Sequence, residues 1–221
     1  MEHAECYYRK PDGTPTGETQ NFRDALSPLS QLYRALVAAE FGPLKLKQVL
    51  ERMIAEGIVR SSVNKRIARV KQVFKWGVEN EHVPPHLQTC LSTVRGLKAG
   101  RSKSLESNPV TPVPQRDLEE TIKHLTTTLA DLFRVQLLTG MRPSEERLML
   151  IGDLDTSRDV WLYCPDQHKT RDHGKRRMIW IGPQAQAIIQ KHLSNDRRRY
   201  VFPSCRRRQN QPYTLNGYLS S

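Results

Sequence analysis

The four cysteines, Cys6, Cys90, Cys164 and Cys205, stand far apart and form no Cys-x-x-Cys pair. That excludes a zinc ribbon and a disulfide scaffold and leaves reduced, structural thiols. Cys164 and His168 are close in sequence, but no spacing supplies two further ligands, so neither a metal nor any cofactor is expected. Long apolar runs are missing too. No stretch reaches the roughly 18 apolar residues of a spanning helix, and the opening Met1-Glu2-His3-Ala4-Glu5 lacks the apolar core of a signal peptide. These absences point away from the membrane and toward the cytoplasm. There is no glycine-rich phosphate loop, no dinucleotide fingerprint and no internal repeat. Acidic residues are in deficit, with 23 Asp and Glu against 35 Lys and Arg, which gives a formal charge of +12 and a pI near 9.8. Such a balance suits a polyanionic partner, although solvated basic residues that merely keep a protein soluble would give the same number. Divided at Thr111, the chain has 17 basic against 11 acidic residues upstream and 18 against 12 downstream, so each half carries +6 and both are expected to face the polyanion.

The main change of composition lies between Lys98 and Pro114. This stretch is rich in small residues and proline and reads as an extended linker. It divides the chain into a lead-in over 1–19 with a turn at Asp12-Gly13, a helical bundle over 20–97, a linker over 98–112 and a second unit over 113–221. In the bundle, apolar spacing predicts helices over Phe22 to Glu40, Leu44 to Ile54 with Gly57 as C-cap, and Ser62 to Glu79, and another from near His86 through Leu87, Leu91 and Val94. In the third of these, Val63, Ile67, Val70, Phe74 and Val78 fall on one face at about 100° per residue, opposite Lys65 and Arg69, with Arg66 flanking them and Trp76 on the polar side. One side packs and the other is free to meet phosphates. An ordinary solvated helix would show the same pattern.

In the second unit the segment Thr139-Gly140-Met141-Arg142-Pro143-Ser144-Glu145 stands out. Leu129, Leu132, Phe133, Val135, Gln136 and Leu137 read as a buried helix, and Gly140 can take the left-handed backbone that ends it. Pro143 suits the first position of a new helix. That puts Arg142 at the N-cap and lets the Glu145 carboxylate reach back to the Arg142 backbone N–H. Free N–H groups and a planar guanidinium fork at one point suit a phosphate. Beyond Asp153, Val160-Trp161-Leu162-Tyr163 and Arg176-Arg177-Met178-Ile179-Trp180-Ile181 alternate around a polar turn, predicting a β-hairpin whose turn carries Lys169. A helix over Pro183 to Leu193 and a short apolar element, Tyr200-Val201-Phe202-Pro203-Ser204, follow.

This order of elements, with the Thr-Gly-x-Arg-x-x-Glu segment, resembles the tyrosine recombinase (phage integrase) family. The resemblance implies a mainly α fold with a small antiparallel β-sheet, in which a helical, SAM-like core-binding bundle is joined to a partial α+β catalytic domain. It implies DNA integration or site-specific recombination by strand cleavage and rejoining through a 3′-phosphotyrosine. Arg142 would grip the scissile phosphate and Lys169 would protonate the leaving 5′ oxygen, its ordinary pKa of about 10.4 lowered by a cationic surrounding. Double-stranded DNA is the implied partner, met by Lys65, Arg66, Arg69 and Lys71 of the bundle and by Arg171 and Lys175 of the hairpin turn. A homo-oligomer on DNA is implied for the full-length protein.

The family's His-x-x-Arg segment, further histidine or tryptophan, and nucleophilic tyrosine follow the region that here ends at Phe202-Pro203-Ser204. His168-Lys169-Thr170-Arg171 and His173-Gly174-Lys175-Arg176 fit the first of these as strings but lie beside the hairpin turn, and Tyr213 and Tyr218 follow no arginine-bearing helix. The expectation is therefore a truncated catalytic domain without a nucleophile in this chain, able to bind DNA but not to cleave it. A non-catalytic DNA-binding regulator, or a decayed recombinase, is the other reading.

Overall fold

The computed structural model describes residues 1–10, 13–165, 177–204 and 210–213. Two compact units emerge, Met1–Val110 and Thr111–Ser221. In the first, α1 (Glu2–Tyr7), α2 (Glu18–Tyr33), α3 (Pro43–Ala55), α4 (Arg60–Glu79) and α5 (Pro85–Ser92) form a bundle. Leu46, Val49 and Met53 of α3 recur at helical spacing, as do Val63, Ile67, Val70 and Phe74 of α4, so each helix turns one apolar stripe inward. Leu46 is wholly buried, and truncating it to alanine would cost about 2–5 kcal/mol. Pro43 and Pro85 open α3 and α5, where a missing N–H does no harm.

In this unit two elements differ from the sequence expectation. The helical pattern over Phe22 to Glu40 is broken, because α2 ends at Tyr33 and Val37 turns extended before a short 3₁₀ turn at Ala38–Glu40. The break re-aims the chain so that Phe41 is buried and stacks on Phe74 at 4.9 Å. The lead-in contains a helix, α1, which ring contacts hold in place: His3 lies 5.1 Å from Trp76, and Tyr8 lies 5.3 Å from Phe22. Trp76 is thus occupied on the side that its sequence position leaves polar.

The second unit contains α6 (Gln115–Lys123), α7 (Thr127–Thr139), α8 (Pro143–Arg147), β1 (Leu154–Asp155), β2 (Trp161–Tyr163), β3 (Ile179–Ile181) and α9 (Pro183–Gln190). The strands form an antiparallel sheet in the order β1-β2-β3. Trp161 faces Ile181 and Tyr163 faces Ile179 across the β2–β3 register, and all four are buried, while Trp180 is exposed. The hairpin alternation is therefore realised as one core face and one open face. β1 is additional to that hairpin and pairs Leu154 with Tyr163. Leu129, Leu132 and Val135 of α7 and Ala185 and Ile189 of α9 complete the core with Val201 and Phe202. The short apolar element at Tyr200–Ser204 is held by two isolated bridges, Tyr200 opposite Leu150 and Pro203 opposite Pro212. Inside this core Asp131 accepts from Arg134 Nη1 at 3.0 Å and lies 3.0 Å from His192 Nε2. No helix among the described residues is long and apolar enough to cross a membrane.

Candidate functional site

α7 ends as its sequence dictates. Gly140 takes φ +63 and its N–H donates to Gln136 O at 2.8 Å, closing the last turn. Met141 then points into the core, 2% exposed, which leaves the next side chain to face outward. Arg142 has extended dihedrals (φ −74, ψ 148), and Pro143 begins α8 directly after it. The Glu145 carboxylate reaches back on both oxygens: Oε2 accepts from the Arg142 backbone N–H at 2.8 Å, and Oε1 accepts from Arg142 Nη1 at 2.6 Å. The Arg142 guanidinium is thereby fixed at its root while its side chain stays 46% exposed.

A second arginine joins this pair. Arg177, just before β3, places Nε 3.3 Å from Glu145 Oε1 and donates from Nη2 to Oε2 at 3.5 Å. The Tyr163 hydroxyl, whose pKa burial pushes upward, donates to the Glu145 carbonyl at 2.7 Å and pins α8 to β2. The Glu145 side chain is 1% exposed against 46% and 35% for the two arginines. Burial alone would raise its pKa. Hydrogen bonds from the Arg142 backbone and side chain, with the charges of Arg177 and Arg142, outweigh that and hold it below the usual carboxylate range. Two guanidinium charges therefore share one carboxylate, and the cluster keeps a net positive charge on two partly exposed side chains. α8 has only five residues, so the guanidinia rather than a helix dipole supply its attraction for an anion.

The neighbouring Glu146 has a different fate. It is completely buried, and neither carboxyl oxygen has a well-formed hydrogen bond among the described residues. Burial pushes its pKa up to about 9, offset only slightly by the Gln136 backbone. It is a neutral acid at pH 7. Arg147, next along, donates Nη1 to Tyr213 O at 2.7 Å, and Tyr213 itself is buried in the core.

The other candidate residues have separate placements. Lys169, Arg171 and Lys175 lie outside the described residues, as do His168, His173 and Tyr218. Lys65 is exposed on α4. Arg69 is gripped by Glu18 of α2, its Nη2 2.9 Å from Oε2 and 3.1 Å from Oε1, and Arg66 lies 3.9 Å from Asp24. Lys71 donates to Val94 O, and burial lowers its pKa. α2 thus lies along the basic side of α4. Sequence reasoning missed Arg177 as a site residue. The only signal for it was its place at the start of the second alternating run, and that does not specify which carboxylate it meets.

No protein-family profile matches the chain, and no curated protein sequence matches it. Solved structures do. A Tn1549 transposon integrase in complex with circular intermediate DNA superposes with a TM-score of 0.61 at 17% identity, over 93% of this chain and 68% of that one. A lambda integrase dimer bound to a COC′ core site gives 0.67 at 12% identity, over 94% and 72%. The XerH site-specific recombinase bound to difH substrate gives 0.53 at 11% identity, over 79% and 52%. The fold is that of the tyrosine recombinases. Within the tyrosine recombinase fold, the helix start at Arg142 and the hairpin of β2 and β3 are the elements on which the resemblance in sequence rested.

Proposed function

We propose that this chain is the DNA-binding part of a site-specific recombinase, in which Arg142 receives a backbone phosphate. The observation that carries the reading is the Arg142–Glu145–Arg177 cluster, two partly exposed arginine side chains anchored on one buried carboxylate. A fork held in advance loses little entropy on binding a phosphate and matches two of its oxygens. The shared fold with recombinases solved on DNA supports the same reading. In the full-length protein, strand cleavage would proceed by attack of a tyrosine on the phosphorus. Arg142 would neutralise the charge that builds on the non-bridging oxygens, and Lys169 would supply the proton to the departing 5′ oxygen.

The 221 residues are proposed to bind without cleaving, as a non-catalytic DNA-binding protein also would. Tyr213 favours this: it is 5% exposed in the core, and its carbonyl is tied to Arg147. The test combines two measurements. By fluorescence anisotropy, Arg142→Ala should weaken duplex binding about 10- to 100-fold, the loss expected for charged hydrogen bonds worth about 1.5–3 kcal/mol. Arg142→Lys should restore little of it, because a point charge does not replace a bidentate fork. With a nicked suicide duplex, the same chain should form no covalent adduct on a denaturing gel. Unchanged binding by Arg142→Ala would remove the arginine from the interface, and an adduct would show that the chain contains a nucleophile.

A further inference from the structure

The bundle has a basic surface that is not the face of α4. After α5, the segment from Arg95 to Ser104 contains Arg95, Lys98, Arg101 and Lys103 and no acidic residue. All four are exposed, and none forms an ion pair with a described residue. The arginines of α4 are the opposite case, since Arg66 and Arg69 already have the carboxylates of Asp24 and Glu18. A cation that must leave an intramolecular carboxylate before meeting a phosphate gains less than one that is free.

The segment is also fixed in place. Asn64 of α4 clamps Leu97 from both sides, its Oδ1 accepting from Leu97 N at 2.8 Å and its Nδ2 donating to Leu97 O at 3.0 Å. Gly96 permits this approach, because a Cβ there would lie 3.2 Å from Asn64 Oδ1. At the far end Ser104 Oγ donates to Ile58 O at 3.0 Å, and Arg60 N donates to Leu105 O at 2.8 Å. Between these anchors Arg101 N donates to Lys98 O at 3.2 Å, with Gly100 at φ +68. This is a β-turn, which holds the Cα atoms of Lys98 and Arg101 within about 7 Å. Two like charges are thus kept together with no counter-ion among the described residues. A stretch whose composition reads as the start of a linker is instead a cationic loop docked on the bundle.

We propose that Arg95, Lys98, Arg101 and Lys103 form the phosphate-tracking surface of the first unit on duplex DNA, and that Arg66 and Arg69 serve the α2–α4 contact instead. The inference rests on the DNA-binding reading above. Its test uses the full 221-residue chain and a fluorescent duplex at a series of salt concentrations. Replacing the four loop cations with alanine should flatten the dependence of log affinity on log salt by about 0.9 for each phosphate that the loop no longer neutralises. Lys98→Glu alone should weaken binding more than the alanine change at that position. Arg66→Ala with Arg69→Ala should lower the melting temperature and leave the salt slope as it was. Thermal melts of the loop variants should match the parent, since those side chains bond to nothing described.

If the loop variant keeps the parent's slope while Arg142→Ala still loses affinity, the surface is wrong and the DNA reading stands. If the parent chain shows no salt-dependent duplex binding, the DNA reading itself fails. Binding to phosphatidylserine vesicles that depends on the loop, without duplex binding, would make the partner a membrane surface and overturn the proposal.

Discussion

Replacing Glu146 should stabilise the second unit, and the gain should depend on pH in a way that follows from its burial. The folded carboxyl is pushed up to about 9 from an ordinary 4.5, while in the unfolded chain it ionises near the ordinary value. Between these two pH values the unfolded state has released a proton that the folded state still holds, so stability must fall as pH rises. The slope is about 1.4 kcal/mol per pH unit. The group's contribution is intact below 4.5 and declines progressively up to about 9, which at pH 7 makes it unfavourable by about 3 kcal/mol. Glu146→Leu keeps a similar volume and removes the titration, so it should raise stability by about that amount at pH 7 and by far less at pH 5. Urea unfolding followed by the fluorescence of Trp161 and Trp180, both in this unit, measures the difference at pH 5, 6, 7 and 8. A difference between variant and parent that is the same at every pH would refute the reasoning. It would mean that Glu146 is ionised in the fold and has a partner.

Other predictions concern the helix start that carries Arg142. Glu145→Gln removes the charge on which both arginines rest and should cost about 1–3 kcal/mol, together with a loss of duplex affinity through a looser Arg142. Because the Glu145 carboxyl is held below its ordinary 4.5, its stabilisation is complete above that value and disappears as pH falls through the lower folded one. The stability gap between parent and Glu145→Gln should therefore be flat from about pH 5 upward and narrow in stronger acid. Gly140→Ala meets no atom within 4 Å yet must keep φ +63, so calorimetry should show a strain penalty of about 1–2 kcal/mol, smaller for Gly140→Asn. Arg177→Ala should weaken duplex binding less than Arg142→Ala does, since its side chain is the less exposed of the two; an equal or larger loss would make Arg177 the principal phosphate ligand.

What the sequence determined by itself is local. Gly140 as a left-handed cap, Pro143 as a first helical residue and Glu145 reaching back three residues to Arg142 all depend on spacing along one backbone. The same holds for the inward stripe of α4 and the alternation of β2 and β3, whose periods are properties of the helix and the strand. Tertiary packing decided the rest. Arg177 meets Glu145 across 32 residues only because β3 is carried beside α8, and Glu18 finds Arg69 across 51 only because α2 lies along α4. The charge pattern of α4 shows a basic face, and nothing in it says that acids from another helix will cover it. Glu146 reads as an ordinary surface glutamate until its helix is packed, and then it becomes a buried acid. The loop at Arg95–Lys103 has a linker's composition, and the Asn64 clamp that fixes it is 33 residues away in sequence. Spacing fixes which groups share one turn of backbone, whereas the faces that pack together decide which distant charges are paired and which remain free for a partner.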